Sequence, residues 1–352
     1  EAKPPRATRF YAVDAVDAVE RLRDVAERRQ PHTNRHPHRT RHAYLTPRPK
    51  RRYQAAKADP SGARAPLKVV YVVLESQYQS SMSAAVKAIN ENENSGVACE
   101  CVGYLLEELR DEKNAAAFKK DVEEANVFIG SLIFVQELAE QVKEVVEAER
   151  DRLDAVLIFP SMPEVMRLNK VGGFTMASLG QSKSVVSEFM KKKKADDGSS
   201  FEEAMLKLLR TLPKVLKYLP GDKAKDAKSF MMSFQYWLGG SPENLQSMLL
   251  SLATTYVPAV VEKADMASLD QEGLIAEPVL LPDKGIWHPL GPEVYQTAEE
   301  YFQWYETEHA PAAGLAEDAP VVGVVLQKSH INTGDAGHYV SLISELEARG
   351  AK

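Results

Sequence analysis

The sequence predicts an α/β protein that opens with a parallel-sheet domain, carries an all-α insertion and then starts a second α/β domain. Two observations predict this order. Short apolar runs alternate with amphipathic helical stripes from residue 68 onward, and a helical stretch then precedes one further apolar run and helix near the end of the 352-residue chain. Strands that alternate with helices require right-handed crossovers, which give a parallel sheet covered by helices on both faces.

Four apolar runs are predicted as the strands of the first domain. Each is nearly continuous in apolar residues, which is typical of strands buried on both faces of a sheet. Glycine, proline or polar residues bound these runs, which cover residues 69–74, 97–104, 127–133 and 155–159. This pattern predicts a flavodoxin-like or Rossmann-like domain over residues 67–190.

Helices are predicted between these strands and in the insertion that follows. The first lies after the first strand, where apolar residues recur with helical spacing at Met82, Ala85, Val86 and Ile89. The next two are predicted at 114–125 and 135–153. Within the insertion, 191–257, three more are expected at 200–212, 223–238 and 242–256. Gly239 is predicted to end the second of them, and Ser241 with Pro242 to cap the third.

The last third of the chain is predicted to be a connector and an incomplete domain. Prolines space short elements over residues 258–318, which are expected to be irregular. A strand at 321–326 and a helix at 336–349, ended by Gly350, form the first β-α unit of a second α/β domain, 319–352. One strand and one helix cannot bury themselves. We therefore expect the protein to continue beyond this unit.

Residues 1–66 are predicted to be a disordered or transit-peptide-like basic segment. They hold 16 lysines and arginines against 7 acidic residues, with no acidic residue between Glu27 and Asp59. Arginine-rich, acid-poor segments are typical of organelle transit peptides, although the scarcity of serine and the acidic residues before Glu27 fit less well. Half of the histidines cluster here, at positions 32, 36, 38 and 42. In a flexible basic segment they favour a solvated tail over a metal site.

Composition and motifs exclude several functions for the rest of the chain. Residues 67–352 hold 28 basic against 43 acidic residues, which argues against nucleic acid as a partner. No apolar run reaches membrane-spanning length, and no glycine-rich phosphate loop follows a strand, so we expect no bound ATP. Cys99 and Cys101 are interpreted as reduced core thiols, because structural zinc needs four ligands. No residue is assigned to a metal site.

The first candidate site follows the strand at 155–159. Glu164 and Arg167 lie just past its carboxyl end, off the apolar stripe of a short helical pattern. Open α/β sheets place their sites at this edge. A well-capped structural turn is the alternative interpretation.

The second candidate site is an aromatic group in the connector. Trp287, His288 and Trp304, with neighbouring tyrosines, could stack on a large planar ligand. In a proline-rich connector such residues more often pack domains together, and this interpretation is favoured. We assign Glu164, Arg167, Trp287, His288 and Trp304 to substrate binding or a domain contact.

Long motifs in the chain resemble a known family. They are VVLESQYQSS, SMPEVMRLNKVGGFTM, LGQSK, RTLPKVLKYLP, WLGGSPENLQ and GIWHPL, in this order from residue 72 to 290. Together they resemble the porphyrin-binding H subunits of magnesium chelatases, which are related to the large subunits of cobaltochelatases. The resemblance runs from about residue 68 to 352, and family members are several times longer.

The resemblance implies an activity, substrates and partners. It implies the N-terminal part of an ATP-dependent enzyme that inserts Mg²⁺ into protoporphyrin IX in chlorophyll biosynthesis, with both as substrates. ATP would be hydrolysed by an AAA+ motor subunit that acts with an adaptor subunit, and a porphyrin-binding activator protein is a further expected partner. The resemblance implies a location in the chloroplast stroma, together with association of the protein with a membrane.

Metal insertion needs a base for the pyrrole protons and ligands that deliver the ion. His330, Asp335 and His338 in the loop SHINTGDAGHY have suitable side chains, since imidazole titrates near neutrality and carboxylates bind Mg²⁺. Their alternative role is to cap the following helix and face solvent. Because the reaction cavity of the family lies largely beyond residue 352, we expect the chain alone to be inactive. The alternative function is a non-catalytic interaction or regulatory module that binds chelatase partners or tetrapyrrole.

Overall fold

The computed structural model describes residues 53–55, 64–92, 95–176, 222–263, 269 and 273–352. Two compact units make up this part of the chain, Arg51–Leu280 and Leu281–Lys352. The predicted helix 200–212 and the motifs LGQSK and RTLPKVLKYLP lie outside the described residues, as do residues 1–52. Among the helices that are described, none combines the length and the apolar character needed to cross a bilayer.

The first unit is built on a seven-stranded sheet with the order β1-β3-β2-β4-β5-β6-β7. Its parallel centre is β3-β2-β4-β5, and β1, β6 and β7 are antiparallel additions at the two edges. The chain leaves β2 toward β3 on one side and returns to β4 on the other, so the strand order reverses between β2 and β4. The strands are Tyr53–Ala55, Ala65–Val73, Val97–Leu105, Val127–Ser131, Ala155–Ile158, Lys170–Val171 and Phe174–Thr175.

The predicted α/β class is confirmed, and the four predicted strands lie in the parallel centre of the sheet. Their side chains are almost entirely buried, as continuous apolar runs require. The predicted start of the α/β domain at residue 67 was wrong. β2 begins at Ala65, where the backbone N–H donates to Gly96 O at 2.8 Å, and β1 pairs with β3 inside the segment predicted to be disordered.

Four helices connect the strands of the first unit. They are α1 Gln77–Glu91, α2 Glu112–Glu124, α3 Gln136–Glu149 and the short α4 Pro163–Met166. Asp111 begins α2, because its side chain accepts the N–H groups of Lys113 and Asn114. α3 ends four residues before the predicted position. There the chain turns, and the Arg152 guanidinium donates to the carbonyls of Val122 and Ala125 at the end of α2.

Two long helices after the sheet share its hydrophobic core. They are α5 Asp222–Gly239 and α6 Pro242–Tyr256, followed by the short α7 Pro258–Val261. Ser241 caps α6 as predicted, accepting the N–H of Asn244 at 3.2 Å. The residue with positive φ after α5 is Gly240, at φ 64°, and not Gly239. In its described part, the predicted all-α insertion therefore packs on the sheet within a single core.

The hairpin of β6 and β7 is held against α5 by one carboxylate. Gly172 has φ +54°, and a Cβ built on it would lie 2.5 Å from Asp226 Oδ2. The same oxygen accepts the N–H of Gly173 at 2.7 Å, while Asp226 Oδ1 accepts the Tyr256 hydroxyl at 2.8 Å. The motif NKVGGFTM is thus explained by a tight turn and its docking on α5 and α6.

The secondary-structure elements of the second unit are helices, joined by irregular segments. Its helices are α8 Ala298–Trp304, α9 Ala310–Ala312, α10 Lys328–Asn332 and α11 Gly337–Ala348. The prediction that residues 258–318 are irregular was wrong at α8. This helix begins with a capping box of Thr297 and Glu300. A π-helical turn, Tyr305–His309, joins α8 to α9. Pro311 lacks an N–H and its ring clashes with the carbonyl four residues earlier, which a wider turn relieves.

The strand predicted at residues 321–326 was wrong. The Val322 N–H donates to Lys352 O at 2.6 Å and the Lys352 N–H to Pro320 O at 2.8 Å, which is one parallel bridge. A strand needs such partners along its length, and the described part of the chain supplies no others to this segment. Burial alternates only at the end of the segment, where Val325 is 87% exposed between the partly buried Val324 and the buried Leu326.

We expect Asn169→Ala to destabilise the first unit. The Asn169 amide accepts the Ile158 N–H at 2.6 Å and donates to the carbonyls of Ile158 and Met166, all in a buried environment. Each backbone group left unpaired costs about 1–3 kcal/mol. Urea unfolding should show this loss, whereas the exposed Arg167→Ala should stay within about 0.5 kcal/mol of the wild type. Equal stability of the two variants would contradict the role of Asn169.

Candidate functional site

The carboxyl ends of the strands in the first unit carry both residues predicted for this edge. Glu164 lies on α4, where its Oε1 is 3.4 Å from Gln136 Nε2. Arg167 follows α4 and is exposed. Neither side chain contributes to the core, so both remain accessible at the edge of the sheet.

The polar residues next to them are structural. Asn169 is fully buried and bonds the end of β5. The Lys170 ammonium donates to three backbone carbonyls of the turn before β5, at Arg150, Asp151 and Leu153. The turn interpretation therefore holds for Asn169 and Lys170, and it does not extend to the exposed Arg167.

The point where the strand order reverses is filled by aromatic side chains. Trp237 of α5 is buried there, and its Nε1–H donates to Ser131 Oγ at the end of β4 at 3.1 Å. The Tyr78 ring stacks on Trp237 with centroids 4.3 Å apart, and Phe159 stacks on it at 5.2 Å. Ligands of open α/β sheets bind in this crevice. Here the protein's own helix occupies it.

In the second unit, one carboxylate collects three hydrogen bonds. Glu347 Oε1 on α11 lies 3.1 Å from His288 Nε2, 2.8 Å from His309 Nε2 and 2.8 Å from the Tyr305 hydroxyl. The π-helical turn presents Tyr305 and His309 together, and the loop before α8 supplies His288. Both histidines are buried. We call His288, His309, Tyr305 and Glu347 the Glu347 cluster.

The hydrogen bonds fix the protonation of this cluster. His288 Nδ1 accepts the Leu290 N–H at 3.2 Å, so its Nε2 carries the proton and donates to Glu347. Burial lowers the pKa of His288 below its usual range, against the opposing effect of the hydrogen bond to Glu347. Burial alone raises the pKa of Glu347, but the bonds from His288, His309 and Tyr305 outweigh it and hold that pKa well below its usual range. Glu347 is therefore ionised.

Aromatic rings surround the Glu347 cluster. Trp304 stacks on His309 with centroids 5.4 Å apart and on Tyr295 at 5.6 Å. Trp287 is buried beside the cluster and lines a cavity of about 40 Å³ together with Glu347. Pockets for drug-sized ligands measure about 300–1,000 Å³. This cavity can hold water or an ion, and it is too small for a macrocycle.

The three candidates of the SHINTGDAGHY segment lie close together, but the prediction that they share one loop was wrong. His330 lies on α10 and His338 on α11, and Asp335 lies in the short turn between these helices. His330 Nδ1 is 3.5 Å from Asp335 Oδ2, without the geometry of a hydrogen bond. The rings of His330 and His338 meet edge to face at 5.1 Å, and Tyr339 packs on His338 at 3.9 Å. Asp335 and His338 are exposed. The proximity makes a joint role as base and ligand sterically feasible.

Sequence reasoning found His288 and the neighbouring tyrosines, and it missed Glu347 and His309. Glu347 lies 59 residues away from His288 on another helix, and no local pattern links them. The spacing of Tyr305 and His309 was the available signal, because residues four apart share one face of a helix. It was hidden by the interpretation of this region as irregular.

Comparisons with known proteins cover most of the chain. Residues 68–231 match a domain of unknown function, DUF3479, and residues 234–352 match the family described as CobN/Magnesium Chelatase. The chain is 56% identical over 304 residues to the chloroplastic magnesium-chelatase subunit ChlH of Oryza sativa subsp. indica, which covers 86% of this chain and 21% of the relative.

Bacterial relatives are more distant. The magnesium-chelatase H protein of Rhodobacter capsulatus is 31% identical over 236 residues, covering 67% of this chain and 18% of the relative. That of Chlorobaculum parvum is 25% identical over 244 residues, covering 67% and 17%. The chain spans about a fifth of the length of the curated relatives it matches.

The α/β scaffold and these matches define the chain as part of a metal-chelatase subunit. It belongs to the family of the H subunits of magnesium chelatase. The resemblance carried by the sequence motifs is thereby confirmed.

We expect acid to destabilise the second unit in metal-free buffer. The folded pKa of His288 lies below the ordinary 6.5, so the unfolded chain binds the proton more readily and stability falls as the pH drops through about 6.5. Glu347, ionised in the fold, adds to this loss below its ordinary 4.5. Thermal unfolding from pH 7.5 to 5.5 should show a smaller loss for His288→Gln than for the wild type, and equal slopes would contradict this assignment.

Proposed function

We propose that the chain forms the N-terminal part of the porphyrin-binding subunit of an ATP-dependent magnesium chelatase. In that enzyme Mg²⁺ and protoporphyrin IX are the substrates. The observation that carries this proposal is the 56% identity with the rice protein over 304 residues. The chloroplastic name of that relative supports a chloroplast location, for which we propose the stroma with association to the membrane.

The two units act in this proposal as a scaffold for partner and domain contacts. Helix α5 fills the crevice of the first unit through Trp237, and the cavity beside Glu347 is far smaller than a porphyrin. Neither the filled crevice nor the cavity beside Glu347 can therefore hold the macrocycle. The porphyrin would bind mainly to other parts of the subunit. Trp287 and Trp304 would support the binding surface by packing within the second unit.

Partner subunits supply the energy of the reaction. The first β-α turn, LESQYQSS, lacks the glycines that let backbone N–H groups surround phosphates. An AAA+ motor subunit would hydrolyse ATP and act with its adaptor on this protein, and a porphyrin-binding activator protein is a further proposed partner. Glu164 and Arg167 are the accessible polar residues proposed for such contacts.

The SHINTGDAGHY segment is the part of the chain that offers reaction chemistry. His338 and Asp335 are exposed and flank the partly buried His330. A neutral imidazole can accept a pyrrole proton, and the carboxylate can bind Mg²⁺ or orient the histidine. We propose these three residues as the catalytic candidates of the chain.

A second function is favoured by the filled crevice of the first unit and the small cavity beside Glu347. The chain could act alone as a non-catalytic module that binds chelatase partners or tetrapyrrole. It would then compete with the full-length protein for the motor and adaptor, and added chain would inhibit the reconstituted enzyme without supporting turnover.

The proposed function is tested by exchanging the matching segment. A rice ChlH protein that carries this chain in place of its homologous 304 residues should insert Mg²⁺ into protoporphyrin IX, measured by porphyrin fluorescence with motor, adaptor and ATP. The chain alone in the same assay should give no turnover above the blank. An exchanged protein that folds and binds its partners but is inactive would contradict the proposal.

We expect Arg167→Ala in the exchanged protein to lower the rate of Mg²⁺ insertion several-fold with little change in melting temperature. The reason is that Arg167 is exposed and lies off the core, so its loss removes a contact and not packing. Glu164→Ala should behave in the same way. The neighbouring Lys170→Ala is the matched control, because it lowers stability through the turn carbonyls that it binds. Full activity of Arg167→Ala would exclude the contact.

A further inference from the structure

We propose that His288, His309 and Glu347 form a binding site for one late first-row divalent metal ion, with Zn²⁺ as the representative. One ligand atom from each residue lies within 4.8 Å of the other two. Two imidazoles, one carboxylate and an open fourth position form a known type of zinc site. This inference does not depend on the proposed chelatase function.

The distances suit tetrahedral coordination. Ligand atoms about 2.0–2.1 Å from a tetrahedral zinc ion lie about 3.3 Å from each other. The Glu347 oxygen is 3.1 Å from His288 Nε2 and 2.8 Å from His309 Nε2. The two histidine nitrogens lie within 4.8 Å of each other, so adjustments of the three side chains would bring the ligand atoms to this spacing.

The surroundings provide the remaining requirements of a metal site. The cavity of about 40 Å³ beside Glu347 has room for a water molecule as the fourth ligand. The Tyr305 hydroxyl donates to Glu347 and would orient the liganding carboxylate. Trp304 stacks on the His309 ring and holds its orientation. Burial of both histidines limits competing solvent.

The ligand set selects the class of metal. Imidazole nitrogens suit zinc, copper, nickel and iron, whereas Mg²⁺ prefers oxygen ligands in octahedral geometry and keeps its waters. The site would therefore hold a different ion from the Mg²⁺ substrate. By joining the loop before α8, the π-helical turn and α11, a bound ion would stabilise the second unit.

Metal binding would rearrange the protons of His288. Without metal, Nε2 carries the proton because Nδ1 accepts the Leu290 N–H. Coordination through Nε2 moves the proton to Nδ1, and the Leu290 N–H must turn to another acceptor. Leu290 lies in a turn at the surface, and we expect solvent to accept this N–H after a local change of the backbone. Glu347 is already ionised and can bind the metal without losing a proton.

The first experiment measures Co²⁺ binding to the full chain, since tetrahedral Co²⁺ has visible absorption that Zn²⁺ lacks. Equilibrium dialysis of the wild type should show one equivalent that His309→Gln loses, with its affinity reduced at least tenfold and the absorption abolished. Glu345→Gln is the matched control, because this exposed carboxylate of the same helix as Glu347 lies outside the cluster. It should keep that equivalent. Equal binding by His309→Gln and the wild type would overturn the proposal.

A second measurement needs no variant and covers the case in which His309→Gln fails to fold. Nitrogen NMR of histidine-labelled wild type is recorded with and without one equivalent of Zn²⁺. The Nε2 signals of His288 and His309 should shift to metal-bound positions, and a proton should appear on His288 Nδ1. Shifts confined to other histidines would show that the ion binds elsewhere and would overturn the proposed site.

Discussion

The packing of α5 and α6 on the sheet is the constraint on which the first unit depends. Trp237 is bonded to Ser131 at the end of β4 and stacks on Tyr78 and Phe159, so one side chain joins the helix pair to three places in the α/β core. Asp226 of the same helix fixes the Gly172 hairpin at the sheet edge. The sheet therefore has the topology of a ligand-binding α/β domain, but its crevice is closed by the packing that stabilises it.

The second unit depends on a polar interaction in place of a sheet. Glu347 is an ionised carboxylate in apolar surroundings, which is costly unless donors compensate it. His288, His309 and Tyr305 supply those donors from the loop before α8 and from the π-helical turn. The three elements are thus held together by hydrogen bonds to one oxygen. The same arrangement places two imidazoles and a carboxylate around a point that a metal ion could occupy.

The structure of the chain is compatible with the scaffold role that we propose for it. The chain spans about a fifth of its relatives, and its first unit has a filled crevice with the accessible Arg167 at the same sheet edge. In the function that we propose, the subunit would need rigid walls around the porphyrin to which its partners can attach. Filled crevices are suited to that role, because a closed core transmits force without deforming.

The sequence by itself determined the α/β class, the four central strands, most helix positions in the first unit and the family, because apolar periodicity and long motifs are local properties. Only the tertiary structure decided which polar residues matter. Asn169 has a structural role because it hydrogen-bonds β5. Glu347 and His288 are in contact although 59 residues separate them. Residues 321–326 do not form a strand because, among the described residues, they have backbone hydrogen bonds to Lys352 only. These outcomes depend on contacts between segments that are distant in the sequence, and the local pattern of residues does not contain that information.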